Sequence, residues 1–320
     1  MLPSLAAIES AAALVHRHVP PTPQYCWPLL AQRLGAEAWV KHENHTPAGA
    51  FKLRGGVVYV DELKRREPQC RALVAATRGN HGQSIAYAAR LNGISATIYV
   101  PYGNSVEKNA AMRALGVELI EHGTDFQAAR EEAARHASAR GAHFVPAFHD
   151  DLVRGVATLW LEFFRAAPAL DVVFVPIGQG SSINACVAVR NALGLATRIV
   201  GVVSTQAPCY ALSFAAGRIV EAAVTTLLAD GLACRLPDQA PLDVIRANVD
   251  EVVQVTDAEV AEAMRLIFAS THNVAEGAGA ASCAAALQRL PAIAGKRIGL
   301  LLSGGNVDTD VFARVLGGTL

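Results

Sequence analysis

The chain has 320 residues, 52% of them hydrophobic, ample for a large buried core in one or two domains. Its 28 basic and 28 acidic residues cancel to a formal net charge of +0, so no electrostatic footprint invites nucleic acid or an anionic membrane. The six cysteines (Cys26, Cys70, Cys186, Cys209, Cys234, Cys283) are scattered with no C-x-x-C pair. That argues against a zinc site or disulfide framework and fits a reducing, cytoplasmic home. The N-terminal segment has no basic stretch before its apolar residues, and Glu9 interrupts them. No signal peptide is read, no apolar run reaches the length of a membrane span, and a soluble protein is expected.

Apolar residues at helical spacing, with Ser4 as N-cap, predict a first helix over 4–18, which the prolines of HVPPT end. AEAWVKH (36–42) reads as a short strand, and a helix is predicted over 55–65. From 72 to 145, strands at 72–77, 96–100, 118–121 and 143–145 alternate with helices at 83–91, 106–115 and 126–139. Such alternation signals parallel βαβ units. A second alternating region follows: helix 153–164, strand 171–175, a glycine-containing turn at 177–182, helix 183–193 and strand 198–203. Residues 212–231 carry no clear period; their Ala/Gly content suggests helix and loop. Helices at 257–270 and 282–290 and a strand at 297–302 complete the pattern. There is no repeat, low-complexity linker or coiled coil. The expected product is an α/β protein of two domains, with parallel sheets flanked by helices.

Within KHENHTPAGAFKLRGG (41–56), Lys52 lies between Phe51 and Leu53 and precedes Arg54-Gly55-Gly56. Apolar neighbours desolvate a lysine and enlarge the fraction of free amine, the form that attacks a carbonyl. A position near a helix N-terminus acts in the same direction. The plainer alternative for any one lysine is a snorkelling surface side chain. The turn IGQGSS (177–182) joins a strand of β-branched residues to a helix, so its backbone N–H groups and the hydroxyls of Ser181 and Ser182 could cradle an anion. A bare tight turn is the alternative. Ile183 and Asn184 break the G-x-G-x-x-G spacing, which disfavours a dinucleotide fold. Asn80-His81 in the loop TRGNHG (77–82) reads either as a turn with a solvated imidazole or as part of a site. Ser303, at the end of RIGLLL, is by itself an ordinary turn residue.

The combination is more specific than any part. K-x-E followed by P-x-G-x-F-K-x-R-G around Lys52, the TRGNHG loop, the 178–182 turn, VAEGAGAAS and the terminal SGGN together resemble the pyridoxal-phosphate dehydratases of the serine/threonine type, over most of the chain. The resemblance implies the type II pyridoxal-phosphate fold, with a smaller domain of residues 55–146 inserted into a larger one built from 1–54 and 147–320. It implies pyridoxal phosphate in the cleft, carried by Lys52 as a Schiff base. Phe51, Asn80, Gly178, Gln179, Gly180, Ser181, Glu276 and Ser303 would bind it: Asn80 at the phenolic oxygen, 178–181 at the phosphate, Ser303 at the pyridine nitrogen. Thr77, Arg78, Asn80 and His81 would hold the substrate, Thr77 and the loop amides taking its carboxylate. Glu276, followed by Gly277 where the family usually has proline, either lines the site or caps the next helix.

The implied reaction removes water from a 3-hydroxy amino acid, L-threonine or L-serine by default, to give a 2-oxo acid and ammonia. A related 3-hydroxy amino acid, of the 3-hydroxyaspartate or phenylserine type, is an alternative, as is a racemase or β-replacement synthase of the same fold. A binding protein that kept only the scaffold would not need Lys52, Asn80 and Ser303. Arg78 stands where racemising relatives carry a serine as second acid/base; arginine stays protonated, so elimination ranks above racemisation. The same guanidinium could pair with a second substrate carboxylate. Ser303 leaves the ring nitrogen largely unprotonated, which suits β-elimination better than transamination. No metal is expected: after the strand 198–203 the chain reads STQAPC, without the oxygen ligands of cation-binding relatives. A homo-oligomer, read as a dimer, is the expected assembly, with the amino acid substrate as the small-molecule partner. With only a short stretch after SGGN, feedback through the regulatory domain of biosynthetic threonine dehydratases is not expected.

Overall fold

The computed structural model describes residues 2–320, arranged as two sheets with helices on their faces. The larger sheet holds six strands: β1 (Gln24–Cys26), β2 (Glu37–His42), β7 (Val172–Pro176), β8 (Arg198–Ser204), β9 (Glu251–Val255) and β10 (Arg297–Leu302), in the order β1-β2-β10-β7-β8-β9. Only the β1–β2 pair is antiparallel. The smaller sheet is wholly parallel: β3 (Ala72–Ala76), β4 (Ser95–Val100), β5 (Glu118–Glu121) and β6 (His143–Val145), in the order β5-β4-β3-β6. The central strands are apolar runs, VVFVP in β7 and, after the exposed Arg297, IGLLL in β10, because helices cover both of their faces.

The helices are α1 (Leu5–Val15), α2 (Pro28–Leu34), α3 (Lys52–Arg66), α4 (Asn80–Leu91), α5 (Val106–Ala114), α6 (Phe126–Arg140) and α7 (Asp150–Ala166) in the first half. The second half adds α8 (Ser181–Ala192), α9 (Cys209–Ala216), α10 (Gln239–Asn248), α11 (Asp257–Thr271), α12 (Gly277–Leu287), α13 (Leu290–Ile293) and α14 (Thr309–Leu316). Ser4 caps α1 as expected, its Oγ accepting from Ala7 N. Several predicted starts were too late: α3 begins at Lys52 rather than 55, α4 at Asn80 rather than 83, α8 at Ser181 rather than 183, and α12 at Gly277 rather than 282. In each case glycine, asparagine or serine near the start reads as a breaker, whereas the preceding loop has already set the first turn.

Strand order places the site. In the larger sheet the winding reverses between β7 and β10, and in the smaller one between β3 and β6. Loops leaving the carboxyl ends at such reversals diverge and leave a crevice, which is where open α/β sheets bind ligands. Here the loops after β7, β10 and β3 all open into one cleft.

Two glycines bring α3 into position. A Cβ on Gly155 of α7 would lie 2.3 Å from the Arg54 carbonyl oxygen, and one on Gly56 would lie 2.2 Å from Ser84 Oγ of α4. Their absence of side chain permits α3 to pack closely on both helices. Beneath α3 runs a buried ionic network: Arg54 pairs with Glu43 (2.7 Å) and Glu162 (2.6 Å), and Lys41 with Glu162 (2.6 Å). Thr22 Oγ1 donates to Glu43 Oε1 at 2.6 Å. Among the described residues no helix is long and apolar enough to cross a membrane, and all six cysteines are free thiols.

Candidate active site

Lys52 is the first residue of α3, and the chain on either side of it is fixed. Thr46 Oγ1 accepts from Ala50 N and donates to Ala50 O, both at 2.9 Å, closing the loop ahead of it. Phe51 N donates to the Ser303 carbonyl at 3.0 Å, and Ser84 Oγ to the Lys52 carbonyl at 2.6 Å. The lysine amine is therefore held between the end of β10 and the start of α4. Its Nζ donates to Ser181 Oγ at 2.8 Å and lies 5.1 Å over the Phe51 ring. Burial lowers its pKa from 10.5 to about 8. The flanking apolar residues thus do what their sequence suggests, and Lys52 lies inside the cleft instead of snorkelling outward.

Across from it, the turn 177–180 leads into α8. Gly180 adopts φ +90°, and a Cβ on Gly178 would lie 2.4 Å from the Gly231 carbonyl. Both glycines are thus required by geometry. The Ser182 Oγ and Gln179 Oε1 are buried without a protein partner. The unpaired Ser182 hydroxyl and the N-terminal amides of this twelve-residue helix can donate and form an anion cradle, whereas Gln179 Oε1 is an acceptor.

The third wall is the loop after β3. Thr77 Oγ1 accepts from Gly79 N (2.8 Å) and Gly82 N (3.1 Å), which leaves its O–H free to donate. His81 is buried, with Nε2 unpartnered. Burial first and the Lys52 charge second lower its pKa to about 3, so its imidazole is neutral rather than solvated and charged. Arg78 lines the cleft beside Phe126 and also faces the adjoining pocket toward Thr225. Its Nε is buried without a hydrogen-bond partner.

Glu276 occupies the N-cap position of α12 but makes no capping bond. Its Oε1 accepts from Asn80 Nδ2 at 2.6 Å, so of its two readings the one that lines the cleft holds. Sequence reasoning missed its other partner. Lys108 of α5 reaches Glu276 at 3.0 Å and Asp230 at 2.7 Å. Lys108 sits on an ordinary amphipathic helix and gives no local signal; the Asp230-Gly231 turn was the one visible hint in the segment 212–231. Ser303 also lines the cleft. Every predicted site residue, including Phe51, Asn80 and Gln179, therefore lines one cleft.

The family described as pyridoxal-phosphate dependent enzyme matches residues 15–304. The chain belongs to this family. It is 34% identical to the L-threonine ammonia-lyase of Thermotoga maritima, over 90% of this chain and 72% of that protein. It is 30% identical to the L-threo-3-hydroxyaspartate ammonia-lyase of Saccharomyces cerevisiae, over 99% of this chain and 98% of that protein. Among solved structures, the processed threonine deaminase isoform 2 of Solanum lycopersicum superposes with a TM-score of 0.90 at 26% identity, covering 98% of this chain and 91% of that one.

The fold is that of type II pyridoxal-phosphate enzymes, and pyridoxal phosphate is the family's cofactor. The residues present fit the group on independent grounds. An amine with a lowered pKa faces an anion cradle whose Ser182 hydroxyl lacks a partner, and the Ser303 side chain lines the same cleft.

Proposed function

We propose that this enzyme eliminates water from a 3-hydroxy amino acid, L-threonine or L-serine first, releasing a 2-oxo acid and ammonia. The observation that carries the reading is Lys52: of the two lysines lining the cleft it alone is free of a carboxylate, and it stands 2.8 Å from Ser181 at the anion cradle. The names of the relatives support the same reaction.

When bound, pyridoxal phosphate supplies the electron sink that acidifies the substrate Cα–H. Lys52 would hold the cofactor as a Schiff base, with Gly178, Gln179, Gly180 and Ser181 around its phosphate, Asn80 at the phenolic oxygen, Ser303 at the pyridine nitrogen, and Phe51 and Glu276 lining it. Once released, an amine titrating near pH 8 is matched to taking the Cα proton at neutral pH. Ser181, in hydrogen-bond contact with that amine, gives the proton a route toward the leaving hydroxyl. Thr77 has its O–H free for the substrate carboxylate, together with the loop amides. His81, held neutral, packs beside them and can offer a hydrogen bond without adding charge. Arg78 cannot accept a proton, which supports elimination over racemisation.

The two separate sheets support a division into a smaller inserted lobe of residues 55–146 and a larger lobe from the flanking segments. Free cysteines support a cytoplasmic home, and assembly as a homodimer belongs to the same reading through the family resemblance. One observation favours a second substrate for the same chemistry: the unpartnered Arg78 suits a 3-hydroxy amino acid with a side-chain carboxylate. The test is to incubate purified holoenzyme with L-threonine, L-serine and L-threo-3-hydroxyaspartate in turn and assay 2-oxo acid and ammonia. Equimolar release of both is expected. Racemised substrate without oxo acid would overturn the reading.

A further inference from the structure

The wall formed by Glu276 and Asn80 contains a buried cation that the reaction above does not use. Lys108 is 5% exposed and comes from the four-stranded side, while both of its partners, Asp230 and Glu276, belong to the six-stranded side. The loop before Asn80 is shaped around its stem: Gly79 takes φ +150°, and a Cβ there would lie 2.4 Å from Lys108 Cδ.

From Glu276 a chain of hydrogen bonds runs on through Asn80. Asn80 Nδ2 donates to Glu276 Oε1 at 2.6 Å, and Asn80 Oδ1 accepts from Asn306 Nδ2 at 2.9 Å. The Asn306 amide also donates to the Ala48 carbonyl at 2.8 Å, so both of its hydrogens are committed and it is a fixed donor toward Asn80. A carboxamide has one donating end and one accepting end. Between a fixed donor and an ionised carboxylate Asn80 has a single satisfied orientation, with its NH₂ toward Glu276 and one hydrogen left for the cleft. Asn306 sets that orientation whatever the state of Glu276; what protonation of Glu276 removes is the charge-assisted acceptor for the Asn80 NH₂. Burial first raises the Glu276 carboxyl above its ordinary 4.5; Lys108 is the cation that opposes this, and the neighbouring Asp230 adds to the rise. Lys52, Arg78 and His81, the other titratable groups of the cleft, make no hydrogen bond or ion pair with it, and the Gly304 backbone packed against it is neutral.

We infer that Lys108 is a positioning residue: by opposing protonation of Glu276 it preserves the charged acceptor that holds the donor end of Asn80 at the cofactor, and it straps the two lobes together at the same point. The inference rests on the proposed placement of Asn80 at the cofactor, not on which amino acid is eliminated. It is tested on the holoenzyme by titrating the visible absorption band with pH and measuring the dissociation constant for pyridoxal phosphate.

Lys108→Met is expected to gain a titration at higher pH than that of the wild-type Glu276, which burial already raises, with cofactor affinity at least tenfold weaker on its acid side and recovering on its alkaline side. Lys108→Arg should restore the wild-type profile, and Lys108→Met/Glu276→Gln should lose the new titration. A Lys108→Met profile that superimposes on wild type overturns the inference, as does a new titration that survives in the double variant. Glu276→Gln, which leaves the Lys108–Asp230 pair in place, guards against misfolding: it should weaken cofactor binding equally at all pH values, and unchanged affinity contradicts the role. Because these readouts follow binding and not turnover, a holoenzyme that eliminates nothing would defeat the proposed reaction while leaving this test intact.

Discussion

The buried Nε of the Arg78 guanidinium meets no acceptor among the described residues. A carboxylate that reaches it forms a charge-assisted pair without breaking an existing one. L-Threonine has only a methyl group to place there, whereas a 3-hydroxy dicarboxylic amino acid has an anion. Replacing Arg78 by serine is expected to lower the ratio of kcat/KM for L-threo-3-hydroxyaspartate over L-threonine on the order of tenfold to a hundredfold, since a polar site left unmatched discriminates strongly. An unchanged ratio would remove Arg78 from substrate choice. Lys52 shows the same economy of contacts: burial alone, with no neighbouring cation required, brings its amine to about pH 8.

At the scale of elements, α3 carries Lys52 on its first residue and is seated by the charges beneath it. Burial tends to raise the Glu162 carboxyl, but the pairs with Arg54 and Lys41 outweigh it and hold the carboxyl below its ordinary 4.5. A depressed carboxylate contributes stability that is fully present above its unfolded pKa and is lost as pH falls through the lower folded value. Glu162→Gln leaves Arg54 and Lys41 each short of a charge partner, at a cost of about 3 kcal/mol near neutral pH. In urea unfolding followed across pH, the gap between variant and wild type should be constant above about 4.5 and shrink below it. A gap independent of pH down to strong acid would show that Glu162 is not the titrating member of the network.

At the scale of the molecule, two parallel sheets point their carboxyl ends at one another, and the cleft follows from where each winding reverses. Much of this was legible because its signals are local. Apolar alternation marked both parallel regions, and the residues around Lys52, the 178–182 turn and the SGGN segment each carry their chemistry within a few positions. What escaped depends on distance or on masking. Lys108 and Asp230 are 122 positions apart and only the closed cleft joins them. The three-residue β1 pairs only as an edge strand, and Pro241 hides the start of α10. For β9, EVVQV, and the amphipathic α14 the pattern was present and went unread.

Everything proposed for the cleft turns on one amine. Borohydride reduction of the holoenzyme, followed by proteolysis and mass mapping, would locate the cofactor's attachment. The account predicts a pyridoxyl group on Lys52 and none on Lys108, with no fixed label after Lys52→Ala. Label on Lys108, or undiminished label on the Lys52→Ala protein, would contradict it.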